Sequence, residues 1–319
     1  MAFLSKKKRR STCRTYHAMA RQQFLLGQMA ARQIRGIDRL SRLSDVEFSA
    51  SSQWGEDGII EWLIHHLGDV PESFIEFGVE DYRESNTRFL LQNRNWRGLV
   101  IDGSTAHIET IKSDALCWRH DLMARNAFVD RDNINQLFKE AGFSGEIGLL
   151  SIDIDGNDYW VWEAITLVQP VLVVIETNAV FGDLAAVTVP YRKDFQRTKA
   201  HLSNLYFGAS PKALEYLAEQ KGYQLLGTNT NGSNAFFIRN DVSDRIVPKV
   251  KDRSFQPSRI RESRNAEGAL SYLSGPLRTE EIAHMEVVDV RSRETAPLKT
   301  FAPLFSDAWI HRLGQSTPS

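Results

Sequence analysis

Residues 147–156 read Ile-Gly-Leu-Leu-Ser-Ile-Asp-Ile-Asp-Gly, an apolar run that stops at two acids. A short run this rich in Ile and Leu is the pattern of a strand covered on both faces. Outward from it the same signature recurs at Ser73–Gly78 (SFIEFG), Gly98–Gly103 (GLVIDG), Ala115–His120 and Val171–Thr177 (VLVVIET). Helices are expected between them at Ser85–Asn93, His107–Ser113, Asp132–Ala141 and Tyr159–Ile165. Strands alternating with helices predict an α/β fold, a doubly wound parallel sheet with right-handed crossovers. A helix at Pro211–Lys221 then leads into Tyr223–Gly227 and Ser233–Arg239. The Thr-Asn-Thr-Asn-Gly turn between those two segments predicts a terminal antiparallel hairpin.

This pattern fills residues 44–248 of a chain of 319. Residues 1–43 read as a basic tail and an amphipathic helix, and 249–319 as an extension packed on the core. Up to position 42 the only acid is Asp38, while Lys6-Lys7-Lys8-Arg9-Arg10 is a run of cations. Leu26, Ala30, Ile34 and Ile37 recur at helical spacing, so a helix over 16–43 is expected to pack on the domain through that stripe. The alternative use of the basic segment is peripheral contact with an anionic surface.

Composition narrows the class. Charged residues are 25% and the formal net charge is −1, which gives no whole-chain case for specific nucleic-acid binding. Two cysteines, Cys13 and Cys117, are too few for a disulfide framework or a closed zinc site. No stretch approaches the ~18 apolar residues of a membrane span. The basic run is followed by no uninterrupted apolar segment, because Phe24-Leu25-Leu26 meets Gly27, Gln28 and Arg32. A cytoplasmic protein is expected.

In an open doubly wound sheet, ligands bind beyond the carboxyl ends of the strands. Several strands end there in acids: Glu76, Asp102, the pair Asp153 and Asp155, and Glu176. After the first strand, Gly78 permits a sharp turn. The dinucleotide fingerprint is missing, because positions 80 and 83 are Glu and Arg. Glu80 and Asp81 would repel a pyrophosphate, whereas a cationic sulfonium cofactor suits an acidic turn. Asp102 lies about 20 residues on, where an acid grips ribose hydroxyls. Ser85-Asn86-Thr87 opens a helix, so the backbone N–H groups of Asn86 and Thr87 are expected to receive the cofactor's carboxylate. Asp121, just past the third strand, is a candidate contact for the purine.

Asp153 and Asp155 are two apart in an expected strand and so share a face. Like charges that close are stable if they share a proton or a cation. Glu176 and Asn178 could complete an all-oxygen ligand set for Mg²⁺ or a similar hard cation. The connection Asn178–Pro211 should overhang this edge and define an acceptor pocket.

Ser52-Gln53 with Gly55-Glu56-Asp57, then Phe74–Gly78, Ser85-Asn86-Thr87, Trp96-Arg97-Gly98-Leu99, Ile152–Gly156 and Glu176-Thr177-Asn178 resemble the FkbM-type methyltransferases. The resemblance covers about residues 50–240. It implies a Rossmann-like class I methyltransferase sheet, S-adenosyl-L-methionine as cofactor, and O-methylation of a small-molecule or glycan hydroxyl. It places Glu76 and Gly78 at the methionine end and Asp102 at the ribose. The acidic cluster is also similar to the Asp-x-Asp of metal-dependent sugar O-methyltransferases. That similarity implies Asp153 as metal ligand and Asp155 as general base, with Glu176 and Asn178 completing the site. Two features depart from the families: a single glycine in the first motif, and Glu-Thr-Asn where metal-dependent enzymes carry paired aspartates. A non-catalytic scaffold of the same fold is the rival reading. A nicotinamide dehydrogenase is disfavoured by the missing glycines.

Overall fold

The computed structural model describes the backbone of residues 2–315 and the side chains of residues 18–314. The side chains of Lys6–Arg10 and Cys13 lie outside the described residues. Ten strands run in chain order: β1 (Ser73–Phe77), β2 (Arg97–Asp102), β3 (Leu122–Asn126), β4 (Gly145–Ile152), β5 (Val168–Glu176), β6 (Val187–Thr188), β7 (Tyr223–Thr228), β8 (Asn234–Arg239), β9 (Glu286–Asp289) and β10 (Thr295–Pro297). Seven form one sheet in the order β3-β2-β1-β4-β5-β8-β7. β1 to β5 are parallel, and β8 pairs antiparallel with both β5 and β7. Strand order reverses between β1 and β4, and that order with its terminal hairpin is the class I methyltransferase sheet.

Both faces of the central strands are covered, as their composition requires. Leu149, Leu150, Ile152, Val173, Val174 and Ile175 are each at most 1% exposed. Leu149 and Val174 pack with Trp62 on one side, and Leu150 and Ile175 with Trp162 on the other. The helix Pro211–Lys221 is capped by the Ser210 side chain and ends at Gly222 in a left-handed conformation.

The third strand is the error in the sequence reading. Ala115–His120 is not a strand; it holds the short helix Leu116–Arg119, and β3 begins at Leu122. β3 is the sheet's edge, with only alternate residues buried, so Leu-Met-Ala-Arg-Asn carries a weak strand pattern. The more apolar Leu-Cys-Trp segment beside it drew the assignment.

The N-terminal helix runs from Ala2 to Ile34, so Ile37 lies beyond it. It meets the body through Phe24, Gly27, Ala31 and Ile34, not through Leu26, which is 65% exposed. At Gly27 a β-carbon would lie 2.6 Å from Ala50 Cβ, so the missing side chain lets the helix approach the domain.

The connection after β5 and the C-terminal extension build a second layer. β6 pairs with β9 and β9 with β10, giving a three-stranded antiparallel sheet. Phe181, Val187, Leu205, Val287 and Leu298 form its core. Arg264 N donates to Ser203 O, which draws Ile260 and Glu262 over the carboxyl edge of the main sheet.

Candidate active site

A cavity of about 600 Å³ opens at the carboxyl ends of β1, β2, β4 and β5. Glu76, Gly78, Asn86, Asp102, Asp153, Asp155 and Glu176 all line it. That volume lies within the usual range for small-molecule and cofactor sites.

Glu76, on β1, is 4% exposed, and its own chain surrounds it. Oε1 accepts from Asn86 N at 2.8 Å and from Ser151 Oγ at 3.4 Å. Oε2 accepts from Thr87 N at 3.1 Å and from the Thr87 hydroxyl. Tyr82 is 1% exposed, and its hydroxyl lies 2.9 Å from Thr87 Oγ1, buttressing that contact. Burial raises the Glu76 carboxyl above the ordinary range, and these donors oppose the shift. The Asn86 and Thr87 N–H groups, expected to hold a cofactor carboxylate, are therefore occupied by Glu76. Thr87 is fully buried behind Glu76 and does not line the cavity, so its assignment as a cofactor contact is corrected. With its lone pairs engaged by the chain, Glu76 offers a ligand no free acceptor.

Gly78 has φ +80°, and a β-carbon there would fall 1.4 Å from the Asp153 carbonyl oxygen. Close approach of two chain segments, as well as room for a ligand, demands glycine here. Asp102 closes the same turn: Oδ2 accepts from Glu80 N at 2.9 Å, and Oδ1 from Ser104 N at 2.7 Å. His107 Nδ1 lies 3.2 Å from Oδ1. Asp121 is elsewhere. It precedes β3, at the amino edge of the sheet, where it is exposed and pairs with Arg97 Nε at 3.6 Å. Ala127, Phe128 and Val129, just after β3, are the residues from that strand's end that line the cavity.

Asp153 and Asp155 follow β4 in a loop, not on the strand, yet they converge. One carboxylate oxygen from each of Asp153, Asp155 and Glu176 lies within 4.8 Å of the others. Asp158 holds the loop, accepting from Ile154 N and Gly156 N at 2.9 Å each. Asp155 adopts φ +55°, a left-handed conformation uncommon for a residue with a side chain. Burial, with Asp155 next, pushes the Asp153 carboxyl well above its usual range; burial and Asp153 do the same to Glu176. Glu176 Oε2 is buried without a hydrogen-bond partner.

Arg197 is the cation of this cluster. Its Nη1 donates to Asp155 Oδ1 at 2.8 Å, its Nε donates to Asn204 O at 2.8 Å, and its guanidinium stacks 3.9 Å from the Phe207 ring centre. Burial works against its charge, but Glu176 and Asp155 more than offset that. Asn178, expected as a metal ligand, turns away. It is 2% exposed, its Oδ1 accepts from Val180 N, and its Nδ2 donates to Leu205 O and Phe207 O. The chain leaves β5 in a helical turn that Asn178 caps, so it anchors the overhanging connection instead.

Some of the cavity wall was not legible as a site. Glu56 is fully buried and accepts from Asn229 Nδ2, Asn234 Nδ2 and Trp54 N, which fastens the hairpin to the start of the helix Glu56–Leu67. The Gly55-Glu56-Asp57 motif signalled it, without showing its partners. Ile260 and Glu262 arrive from the C-terminal extension, and no local pattern marks them.

No family model matches the chain. It is 25% identical over 137 residues to DNA polymerase III PolC-type of Staphylococcus epidermidis, a match covering 43% of this chain and 8% of the polymerase. The chain thus spans a small fraction of the curated relatives it matches. Among solved structures, it is similar to an S-adenosylmethionine-dependent methyltransferase from Clostridium acetobutylicum (9% identity, 58% of this chain and 90% of the other, TM-score 0.36). It is also similar to an O-methyltransferase family protein from Burkholderia thailandensis (14% identity, 58% and 59%, TM-score 0.34). The fold assignment rests on the strand order of the sheet itself.

Proposed function

We propose that this protein is an S-adenosylmethionine-dependent O-methyltransferase of the FkbM kind, acting in the cytoplasm on a hydroxyl of a sugar, glycan or natural product. The observation that supports this reading is the convergence of Glu76, Asp102, Asp153 and Glu176 on one cavity at the switch point of a methyltransferase sheet. The acidic wall suits a sulfonium cation, and the presence of Asp102 in the same lining supports a role for it at the ribose hydroxyls. In-line holding of methyl donor and acceptor oxygen supplies most of the acceleration, on the order of 7–11 kcal/mol in favourable cases.

Asp153 and Glu176 are the groups suited to take the acceptor's proton. Burial raises the pKa of both carboxyls, the direction that makes a carboxylate a stronger base. Asp155, tied to Arg197, is better suited to orient the loop and the acceptor. The oxygens of Asp153 and Glu176 also fit a hard divalent cation such as Mg²⁺, which would lower the pKa of an acceptor hydroxyl when bound. Cation and shared proton compete for the same oxygens, so metal binding should release protons.

Isothermal titration with S-adenosylhomocysteine and with S-adenosylmethionine is the direct test, followed by isotopic methyl transfer to candidate acceptors. Absence of binding by either ligand refutes the reading; binding without transfer to any acceptor favours the scaffold. Titration with Mg²⁺ in weak buffer, in the wild type and E176Q, separates the metal-bound site from the protonated one.

A further inference from the structure

The helix Pro276–Glu281 carries a buried cation that the mechanism above does not use. Arg278 is 6% exposed, and its side chain makes no hydrogen bond or ion pair among the described residues. Its Nε is sealed from water without an acceptor. The acid whose field reaches it, Glu262, is engaged elsewhere: it lies 3.8 Å from Arg197 Nη2 and 3.3 Å from Arg264 Nη2. Burial and then the neighbouring Arg197 push the Arg278 guanidinium down to about 10, which leaves it charged at neutral pH.

A desolvated charge without a counter-charge is destabilising, as is one left behind when a buried ion pair is broken. Such a group persists when something absent from the chain completes it. Arg278 lines a small cleft with Ser258, Val180, Phe305, Trp309 and Leu313. Ser258 Oγ accepts from Ile260 N at 3.2 Å, so its hydroxyl proton is available to another partner. The other side chains that line the cleft are apolar, which leaves the guanidinium and the hydroxyl as its side-chain donors. The cleft holds about 10 Å³, room for roughly one water-sized group such as a terminal anionic oxygen. A guanidinium N–H suits one terminal oxygen of a phosphate or carboxylate as a charge-assisted donor.

The geometry points to an oxyanion site at Arg278 and Ser258 that receives a phosphate or carboxylate group. It is linked to the main cavity through neighbouring residues. Thr279 Oγ1 donates to Val180 O, on the turn that follows β5 four residues beyond Glu176, and the charges of Arg197 and Glu262, which line the main cavity, reach Arg278. On the methyl-transfer reading, an acceptor reaching from the main cavity to this cleft would be a phosphorylated or carboxylated molecule. That last step rests on the methyl-transfer reading; binding of the anion does not.

The test uses the full chain and small probes. Thermal unfolding is followed against inorganic phosphate and, separately, acetate, each at ionic strength matched with chloride, and phosphate binding is followed by ³¹P line broadening. The wild type should show saturable stabilisation. R278M should weaken phosphate at least ~10-fold, R278K should retain part of the effect, and all should bind S-adenosylhomocysteine alike. Preference between phosphate and acetate identifies the acceptor's anionic group. If R278M does not fold, R278Q replaces it in the same comparison. Equal phosphate responses in wild type and either neutral variant overturn the site. Donor binding with no Arg278-dependent anion effect defeats this inference alone; an Arg278-dependent effect without donor binding defeats the methyltransferase reading alone.

Discussion

Gly78 and Asp153 meet backbone to backbone, so closely that a β-carbon on Gly78 would sit 1.4 Å from the Asp153 carbonyl oxygen. The contact joins the turn after β1 to the loop after β4 across the point where strand order reverses. Asp153 N donates to Phe77 O at 3.3 Å beside it, so the two segments form one unit. G78A must either move the acidic loop or expel the turn, and φ +80° adds strain of its own. We expect a loss of about 3–5 kcal/mol by chemical denaturation and no measurable S-adenosylhomocysteine binding. A variant that binds normally and unfolds like the wild type would show that the loop yields freely.

Arg197 is the cation next to Asp153 and Glu176, and its charge lowers the pKa of both. Removing it in R197M leaves three converging carboxylates without a counter-charge. The pKa values of Asp153 and Glu176 then rise further, so the pH at which the base becomes deprotonated moves upward. The wild-type rate should increase with pH through the titration of the Asp153–Glu176 pair. R197M should carry that limb to higher pH, and R197K should move it less, because it keeps the charge while losing the fork. A limb at unchanged pH in R197M would place the base elsewhere.

The sheet was legible because β1, β2, β4 and β5 are buried on both faces, which forces continuous apolar runs ended by the acids at their carboxyl edge. β3, an edge strand covered in part, wrote no such run, and Asp121 was misplaced with it. Asn178 failed for a different reason: spacing from Glu176 is informative only while the chain remains a strand, and it turns helical at once. Asp153 and Asp155 converge through an Asp158-held loop rather than through strand alternation, so the pairing was right on the wrong geometry. Arg278 and Glu262 come from a segment that joins the site only through tertiary contact, and nothing local marks them.

Asp57 supplies a pH dependence of stability. It is 1% exposed; Oδ2 accepts from Ala50, Ser51 and Ser52 N at 2.6–2.8 Å, while Oδ1 is buried without a partner. Burial pushes its carboxyl up from 3.8 to about 7 against those donors. The folded state therefore binds more protons than the unfolded one between about pH 4 and 7, and stability falls as pH rises through that window. The displacement corresponds to ~4 kcal/mol. D57N can keep its oxygen on the three N–H groups, so it should lose less stability between pH 5 and 8 than the wild type. Parallel denaturation midpoints for the two proteins across that range would remove Asp57 as the source.

The N-terminal helix carries two apolar faces, and only one is used by the fold. Gly27, Ala31 and Ile34 pack inward, while Met19, Leu26 and Met29 recur at helical spacing on the opposite side, 61%, 65% and 59% exposed. Leu25, beside them, is 57% exposed. The same helix contains the basic run 6–10, so an apolar stripe and cationic charge lie on one element. That combination suits the interface of an anionic bilayer, with charge drawing the helix in and the stripe inserting. The chain should co-sediment with phosphatidylserine vesicles and not with phosphatidylcholine vesicles. Added salt should weaken the association, because the charge contribution is screened within about 8–10 Å. L26D with M29D should abolish association without lowering the unfolding midpoint, since both side chains face outward. Sedimentation of the double variant equal to that of the wild type would leave the outward stripe without a role at a membrane surface.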